Sequence, residues 1–297
     1  MSGARPTPEG RGVLYVVATP IGNLSDLTLR ALEVLREADL ILCEDTRTTR
    51  KLLTHYGIRG KRLLSLYKDN ERRRLPQILK ALAEGQKVAL VSEAGTPGIS
   101  DPGALVVSET RRAGFPVVPV PGPSALTAFL SVCGRDLSGG FLFLGFPPPR
   151  SAERRRLLAE LKEVPYPLVF FVPPHRLRTF LGDLLAVLGD RPAILGRELT
   201  KVFEEVVSGR VSQFLERYSA ESPRGEILLL VEPALPEKSL SAEKILAEVQ
   251  GLQARGLSLK KAVKEVASRY GLSSKELYRR MIEKKRPRED SNLRHRD

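Results

Sequence analysis

From Gly12 to about Gly122, short apolar runs alternate with stretches whose apolar residues recur every three or four positions. The apolar runs are Val13–Thr19, Leu40–Cys43, Leu63–Leu66, Val88–Val91 and Val117–Val120. Their length and their β-branched or leucine-rich make-up predict strands. Between the first two, Leu29, Leu32, Leu35 and Ala38 share one helical face, with Asp26 or Thr28 placed to cap it. Strands that are apolar throughout are buried on both faces, as in a parallel sheet covered by helices. The expected fold of residues 12–122 is a doubly wound α/β domain.

The pattern changes after Pro123. Ser124–Val132, Ala152–Glu163 and Leu177–Leu188 read as helices. Phe141–Gly145, Leu168–Val172, Ala193–Arg197, Val202–Ser208 and Glu226–Val231 read as strands. Two of these crowd together around Arg197–Ser208, which predicts antiparallel pairing in a second α/β domain over residues 123–235. Pro233-Ala234-Leu235-Pro236 reads as a linker, and residues 236–297 turn helical. Leu259, Ala262, Val263, Val266 and Ala267 form one apolar face, and Gly271 stands where that helix should end. Ser273 and Glu276 have capping-box spacing for a last helix carrying Leu277, Tyr278, Met281 and Ile282. Helix, glycine turn and helix make a helix-turn-helix-like pattern. Residues 1–11 lack an apolar signal core and read as a disordered lead-in.

Composition narrows the class. The chain has 297 residues, 42% hydrophobic and 28% charged, which fits a globular protein of more than one domain. No apolar run approaches the roughly 20 residues of a membrane span. Cys43 and Cys133 lack metal-ligand or disulfide-framework company, and a cytoplasmic protein is expected. The net charge of +13 is unevenly spread. Residues 239–297 hold 15 lysines and arginines against 8 acidic residues. Lys275, Arg279, Arg280, Lys284 and Lys285 all fall on the last predicted helix, so nucleic acid is a natural partner. A basic solubilising tail, or a small bundle that packs or dimerises, fits the same composition.

Several chemistries are excluded by their missing motifs. There is no GxxxxGK[ST], no GxGxxG after the first strand and no GxSxG. His55, His175 and His295 share no metal-ligand spacing. Three loops remain, each just beyond a predicted strand: Ala18–Asn23, Glu93–Gly103 and Pro121–Ala125. In a parallel sheet they share one edge, where open α/β sheets bind ligands. The second and third carry no lysine or arginine, which suits a neutral or zwitterionic ligand better than a triphosphate. As tight turns, the same glycines and prolines need no ligand at all.

Five segments carry a family resemblance: VATPIGN at Val17–Asn23, CEDTR at Cys43–Arg47, SEAGTPGISDPG at Ser92–Gly103, PVPGPSAL at Pro119–Leu126 and RELTK at Arg197–Lys201. Together they resemble the tetrapyrrole-methylase superfamily and, within it, the branch of ribosomal RNA small subunit methyltransferase I. The resemblance implies two α/β domains with S-adenosylmethionine in the cleft between them, a C-terminal helical extension and a homodimer. It implies methylation of the ribose 2′-hydroxyl of a cytidine in the decoding region of 16S rRNA, free or within the 30S subunit. Carried over by motif, the cofactor site comprises Thr19, Pro20, Gly95, Thr96, Pro97, Gly98, Ser100, Asp101, Ser124, Ala125, Leu199 and Thr200. Where the family commonly shows a histidine and a glutamate, this chain has Tyr67-Lys68-Asp69 before Asn70-Glu71, and Lys68 is free to meet RNA phosphate.

Methyl transfer to a hydroxyl needs positioning and a proton acceptor. Glu44, Asp45, Glu93, Asp101, Glu204 and Glu205 are the candidate acceptors, and Glu93 and Asp45 are preferred because strand-end loops bring them toward the cleft. Each has a structural alternative, such as capping the following helix. Two other functions remain open: methylation of a tetrapyrrole, or a ligand-sensing DNA-binding regulator without catalysis. The basic extension weighs against the first, and the paired SEAGTPGISDPG and RELTK segments weigh against the second.

Overall fold

The computed structural model describes residues 12–219, 223–234, 242–270 and 273–285. The lead-in 1–11, the end of the linker and Gly271 lie outside the described residues.

The first sheet has five parallel strands, β1 (Val13–Val17), β2 (Leu40–Cys43), β3 (Arg62–Ser65), β4 (Lys87–Val91) and β5 (Val117–Val120), in the order β3-β2-β4-β1-β5. Helices α1 (Leu29–Glu37) and α2 (Thr46–His55) pack on one face through Leu35 and Leu53. Helices α3 (Glu71–Ala83) and α4 (Ala104–Arg112) cover the other through Ile78, Leu82 and Val106. Thr28 caps α1, accepting the Ala31 N–H at 3.1 Å. Both faces of the sheet are therefore covered, as its uniformly apolar strands require.

Helix α5 (Ala125–Val132) leads into the second sheet. Its strands are β6 (Leu142–Phe143), β7 (Leu168–Val172), β8 (Pro192–Arg197), β9 (Glu205–Arg210) and β10 (Ile227–Val231), in the order β6-β7-β10-β8-β9. Only β6–β7 is parallel; the other pairs are antiparallel. Helices α6 (Ser151–Glu160), α7 (Leu177–Leu188) and α8 (Val211–Arg217) cover one face through Leu158, Phe180 and Phe214. Phe129 of α5 packs on the other, beside Ile194 and Leu228. It comes so close to β8 that a Cβ on Gly196 would lie 2.5 Å from its ring. Ile21, from the loop after β1, joins the same cluster, so the first sheet's loops pack against the second sheet. Both belong to one compact unit ending at Pro233.

Strand β9 begins three residues later than the apolar run around Val202 predicts. Glu198 and Thr200 adopt positive φ, +52° and +66°, and start a turn that runs through Glu204. The Glu204 carboxylate accepts the Thr200 N–H at 2.6 Å. Val202 and Phe203 are left 93% and 73% exposed. Turn chemistry here overrides β propensity.

From Ala234 the chain forms a second unit. Helices α9 (Ala242–Ala254), α10 (Leu259–Tyr270) and α11 (Ser274–Lys285) enclose a core of Val249, Ala262, Val263, Val266, Leu277 and Met281. Of the expected face of α10, Ala262, Val263, Val266 and Ala267 are buried and Leu259 is half-buried. That of α11 divides: Leu277 and Met281 go inward, whereas Tyr278 and Ile282 are exposed.

Candidate functional site

Strands β4, β1 and β5 are neighbours, so the loops that follow them meet at one edge of the first sheet. Backbone bonds hold them together. The Thr19 N–H donates to the Gly95 carbonyl at 2.8 Å and the Gly95 N–H returns to Thr19 at 2.9 Å. The Thr19 hydroxyl, fully buried, donates to the Ser92 carbonyl at 3.2 Å. Thr96 Oγ1 donates to the Pro123 carbonyl at 3.1 Å, which ties the second loop to the third. Gly95 has φ +80° and Ser100 φ +67°; for serine this conformation is a strain that the surrounding bonds must hold. At the far end of the loop, buried Glu71 accepts the Gly103 N–H at 2.5 Å. These loops are a preformed rim.

Beneath the rim lies a cleft of about 170 Å³ between the two sheets. Ile21 and Ile99 from the first sheet's loops face Phe146, Phe171, Ile227 and Leu228 from the second sheet and its flanking segments. The polar lining is Thr96, Ser100, Asp101, Ser124 and Glu226, with no lysine or arginine among the described residues. Burial pushes the Asp101 carboxyl up to about 6, and Glu44, Glu93 and Glu226 add like-charge repulsion. Glu44 is likewise raised, first by burial and then by Glu93. The cleft therefore disfavours anions and rewards a bound cation. A second cavity of about 180 Å³ opens on the other side of the Thr19–Gly95 bridge. Pro20, Thr48, Lys51, Ser92 and Glu93 line it.

Of the twelve residues assigned to the cofactor from the sequence, Gly95, Thr96, Ser100, Asp101, Ser124 and Ala125 line the cleft. Pro97 and Gly98 belong to the same loop, the proline buried and the glycine exposed. Thr19 and Pro20 face the second cavity. Leu199 packs in the same cluster as Ile21 and Phe129. The Thr200 hydroxyl accepts the Asn23 N–H at 3.1 Å. The RELTK turn thus fastens the first loop to the second domain. Gly22 permits this approach, because a Cβ there would lie 2.3 Å from Lys201 Cγ. Lys201 in turn pairs with Glu198 at 2.8 Å and with Glu226 at 3.5 Å.

The candidate proton acceptors separate clearly. Asp45 caps α2, accepting the Arg47 N–H at 2.7 Å, and pairs with the Arg47 guanidinium at 2.8 Å. Those bonds hold its carboxyl down at about 2, which makes it a weak base. Glu204 is engaged by Thr200, and Glu205 pairs with Arg197 at 3.2 Å and Arg217 at 2.5 Å. Asp101 does not cap α4; Gly103 occupies that position. Glu93 is exposed on the wall of the second cavity. Asn70 accepts the Tyr67 N–H at 2.9 Å and donates to Ser65 at 3.2 Å, so it shapes the turn before α3. Lys275 and Arg279 are exposed on α11. The side chains of Arg280, Lys284 and Lys285 lie outside the described residues.

The cleft residues contributed by the second sheet and its flanking segments escape sequence reasoning, among them Phe146, Phe171 and Glu226. Phe146 follows the shortest strand, Phe171 reads as ordinary core, and Glu226 precedes β10 at a long sequence distance from Asp101. The one available signal is an acidic residue immediately before the wholly apolar run Ile227–Val231.

Residues 13–215 match the family of Tetrapyrrole (Corrin/Porphyrin) Methylases, and residues 239–285 match the RsmI C-terminal HTH domain. A protein of Neisseria meningitidis serogroup B named ribosomal RNA small subunit methyltransferase I is 45% identical, covering 90% of this chain and 92% of its own. The protein of the same name from Escherichia coli O157:H7 is 43% identical over 93% and 96%. That from Thermotoga maritima is 49% identical over 74% of this chain and 98% of its own, so it does without roughly a quarter of this chain's length. Among solved structures, uroporphyrin III C-methyl transferase from Thermus thermophilus shares the fold with a TM-score of 0.53 at 22% identity, over 74% of this chain and 97% of that one. Diphthine synthase does so with a TM-score of 0.59 at 17% identity, over 74% and 90%. The chain belongs to the tetrapyrrole methylases and, within them, to the ribosomal RNA small subunit methyltransferase I family.

Proposed function

We propose that this protein methylates the ribose 2′-hydroxyl of a cytidine in 16S rRNA, using S-adenosylmethionine held in the cleft between the two sheets. The observation that carries the cofactor reading is the acidic, lysine- and arginine-free lining opposite an apolar wall. S-adenosylmethionine has a flat apolar base, a cationic sulfonium and no phosphate, and those groups fit that lining. When bound, it supplies a methyl group activated by the sulfonium.

The chain's own residues do the rest. Phe146, Phe171 and Ile227 would hold the apolar base, the Asp101 carboxylate would hold the cationic end, and the backbone of Gly95–Thr96 would supply hydrogen bonds to it. Glu93 lines the neighbouring cavity, where the accepting ribose enters, and takes the hydroxyl proton. Residues 12–122 and 123–235 form the two halves of the cofactor site, and residues 236–297 add RNA affinity through Lys275, Arg279, Arg280, Lys284 and Lys285. The protein works in the cytoplasm as a homodimer. Outer strand β9, with Val206 exposed on it and Val202 and Phe203 just before it, supports a partner at that edge.

The decisive experiment supplies the full chain with methyl-labelled cofactor and unmodified 30S subunits, naked 16S rRNA, DNA or a porphyrinoid. Label is expected on one cytidine of 16S rRNA, in a linkage that resists alkaline hydrolysis. Label entering the porphyrinoid alone would overturn the rRNA reading.

A further inference from the structure

The acidic cleft poses a problem for an RNA substrate: its carboxylates repel the phosphates that must come near the acceptor ribose. The opposite charge lies immediately outside it. Helix α2 and the turn leading into α3 follow adjacent strands, β2 and β3, and so sit at the same edge of the sheet as the ligand loops. Arg47, Arg50 and Lys51 are exposed on α2, and Lys68, Arg72 and Arg73 on the turn and first residues of α3. Both groups are tied to the site. Lys51 and Thr48 line the second cavity with Glu93, and Glu71, next to Arg72, holds Gly103 at the end of the cleft loop.

These cations have little to do in the folded protein alone. Arg47 pairs with Asp45, but Arg50, Lys51, Lys68, Arg72 and Arg73 make no ion pair among the described residues. The next residue, Arg74, keeps its Nε buried without a hydrogen-bond partner. Arg72, Arg73 and Arg74 occupy the first turn of α3, where a positive charge opposes the helix dipole. Such placement weakens a helix, so packing and capping do not account for it.

We infer that Arg50, Lys51, Lys68, Arg72 and Arg73 form a phosphate-binding track for single-stranded RNA, leading the acceptor nucleoside into the cavity of Thr48, Ser92 and Glu93. This rests on the rRNA-methylation reading and adds an RNA contact surface on the α/β unit, separate from the basic helix α11. Cations on the rim carry the backbone, and carboxylates inside serve the methyl donor.

The test uses the full chain and two double variants, Arg72→Ala with Arg73→Ala and Lys68→Ala with Arg50→Ala. Binding to a 16S rRNA fragment is measured from low to moderate salt, alongside methyl-transfer kinetics, cofactor affinity and Tm. Each pair should weaken RNA binding roughly tenfold and flatten the log–log salt dependence by about 0.7–0.9 per cation removed. The apparent KM for RNA should rise with kcat and cofactor affinity unchanged; Tm should hold in both variants and increase for Arg72→Ala with Arg73→Ala, because the start of α3 loses opposing charge. Unchanged RNA affinity and salt slope would overturn the track, as would losses that follow a drop in Tm. Because binding is read directly, a wild type that binds RNA through this rim yet labels another substrate would sink the methylation reading and keep the track.

Discussion

Glu93 and Asp101 lie on the same loop but line different cavities, and their substitutions should separate cleanly. On the proposed reading Glu93 takes the hydroxyl proton, so Glu93→Gln should lower kcat by about 10²–10⁴, with cofactor affinity unchanged. Wild-type turnover in that variant would remove Glu93 from the chemistry. Asp101 titrates at about 6 in the free protein, mainly through burial. A cationic ligand prefers its ionised form, so cofactor affinity should fall as pH drops through about 6, by at most tenfold per unit. Asp101→Asn should weaken the cofactor and flatten that profile. The same shift acts on stability in the opposite direction. The folded carboxyl holds its proton more tightly than the unfolded one, so stability is lost as pH rises from about 4 to about 6. Above that range, cofactor-free Asp101→Asn should melt a few degrees higher than wild type.

Among the elements, the most exacting polar contact joins α6 to α7. Arg154 and Asp183 are both buried, and Arg154 Nε donates to Asp183 at 2.8 Å. Arg155 adds a bond at 2.7 Å and Ser151 two at 3.0 Å. Arg154 also reaches the carbonyls of Pro148 and Pro149 at 3.1 and 3.2 Å, which anchors the segment just after the cleft residue Phe146. Burial alone would raise the Asp183 carboxyl, but its hydrogen bonds from Arg155, Arg154 and Ser151 bring it below the usual range. It therefore stabilises the fold above about pH 4, and that contribution is lost in acid. Asp183→Ala strands a buried guanidinium and should cost about 3–5 kcal/mol, lowering Tm by roughly 10 °C. Thermal melts of Asp183→Ala beside Arg154→Met/Asp183→Leu check the cause, since the apolar pair should recover most of the loss. Such a network is invisible in sequence, where Arg154 and Asp183 look like two solvent-facing charges on separate helices. The parallel strands were legible because burial on both faces makes them apolar throughout. The three ligand loops were legible because β4, β1 and β5 end in glycine- and proline-bearing turns. Local motifs carried less about direction: Leu199 and Thr200 sit in the expected segment yet face core and backbone, because the positive-φ turn at Glu198 and Thr200 rotates them there. Glu226 is set beside Asp101 only by the pairing of β10 with β7 and β8, which no short-range pattern records.

At the scale of the whole molecule, the proposed chemistry and the proposed RNA affinity of the tail divide between the two compact units. Every residue that lines the cleft, the second cavity or the basic rim lies before Pro233. The helical unit has its own core, from Ile245 to Met281, and its residues from 239 onward carry an excess of seven positive charges. Its contribution is expected in binding energy, since phosphate binding lowers KM without touching the reacting atoms. Deleting residues 239–297 should therefore leave cofactor affinity unchanged, weaken binding to 16S rRNA by roughly tenfold or more at moderate salt, and reduce the salt slope by nearly one for each phosphate no longer neutralised. Methyl transfer at saturating RNA should persist. Calorimetry with the cofactor and filter binding across a salt series measure the two effects separately. An unchanged salt slope would make α9–α11 a packing or dimerisation element, and abolished cofactor binding would place part of the donor site there. The deletion can also be combined with Arg72→Ala and Arg73→Ala. Rim and tail should lower the slope additively if each neutralises its own phosphates. A combined loss no greater than either alone would mean that both depend on a single seating of the RNA.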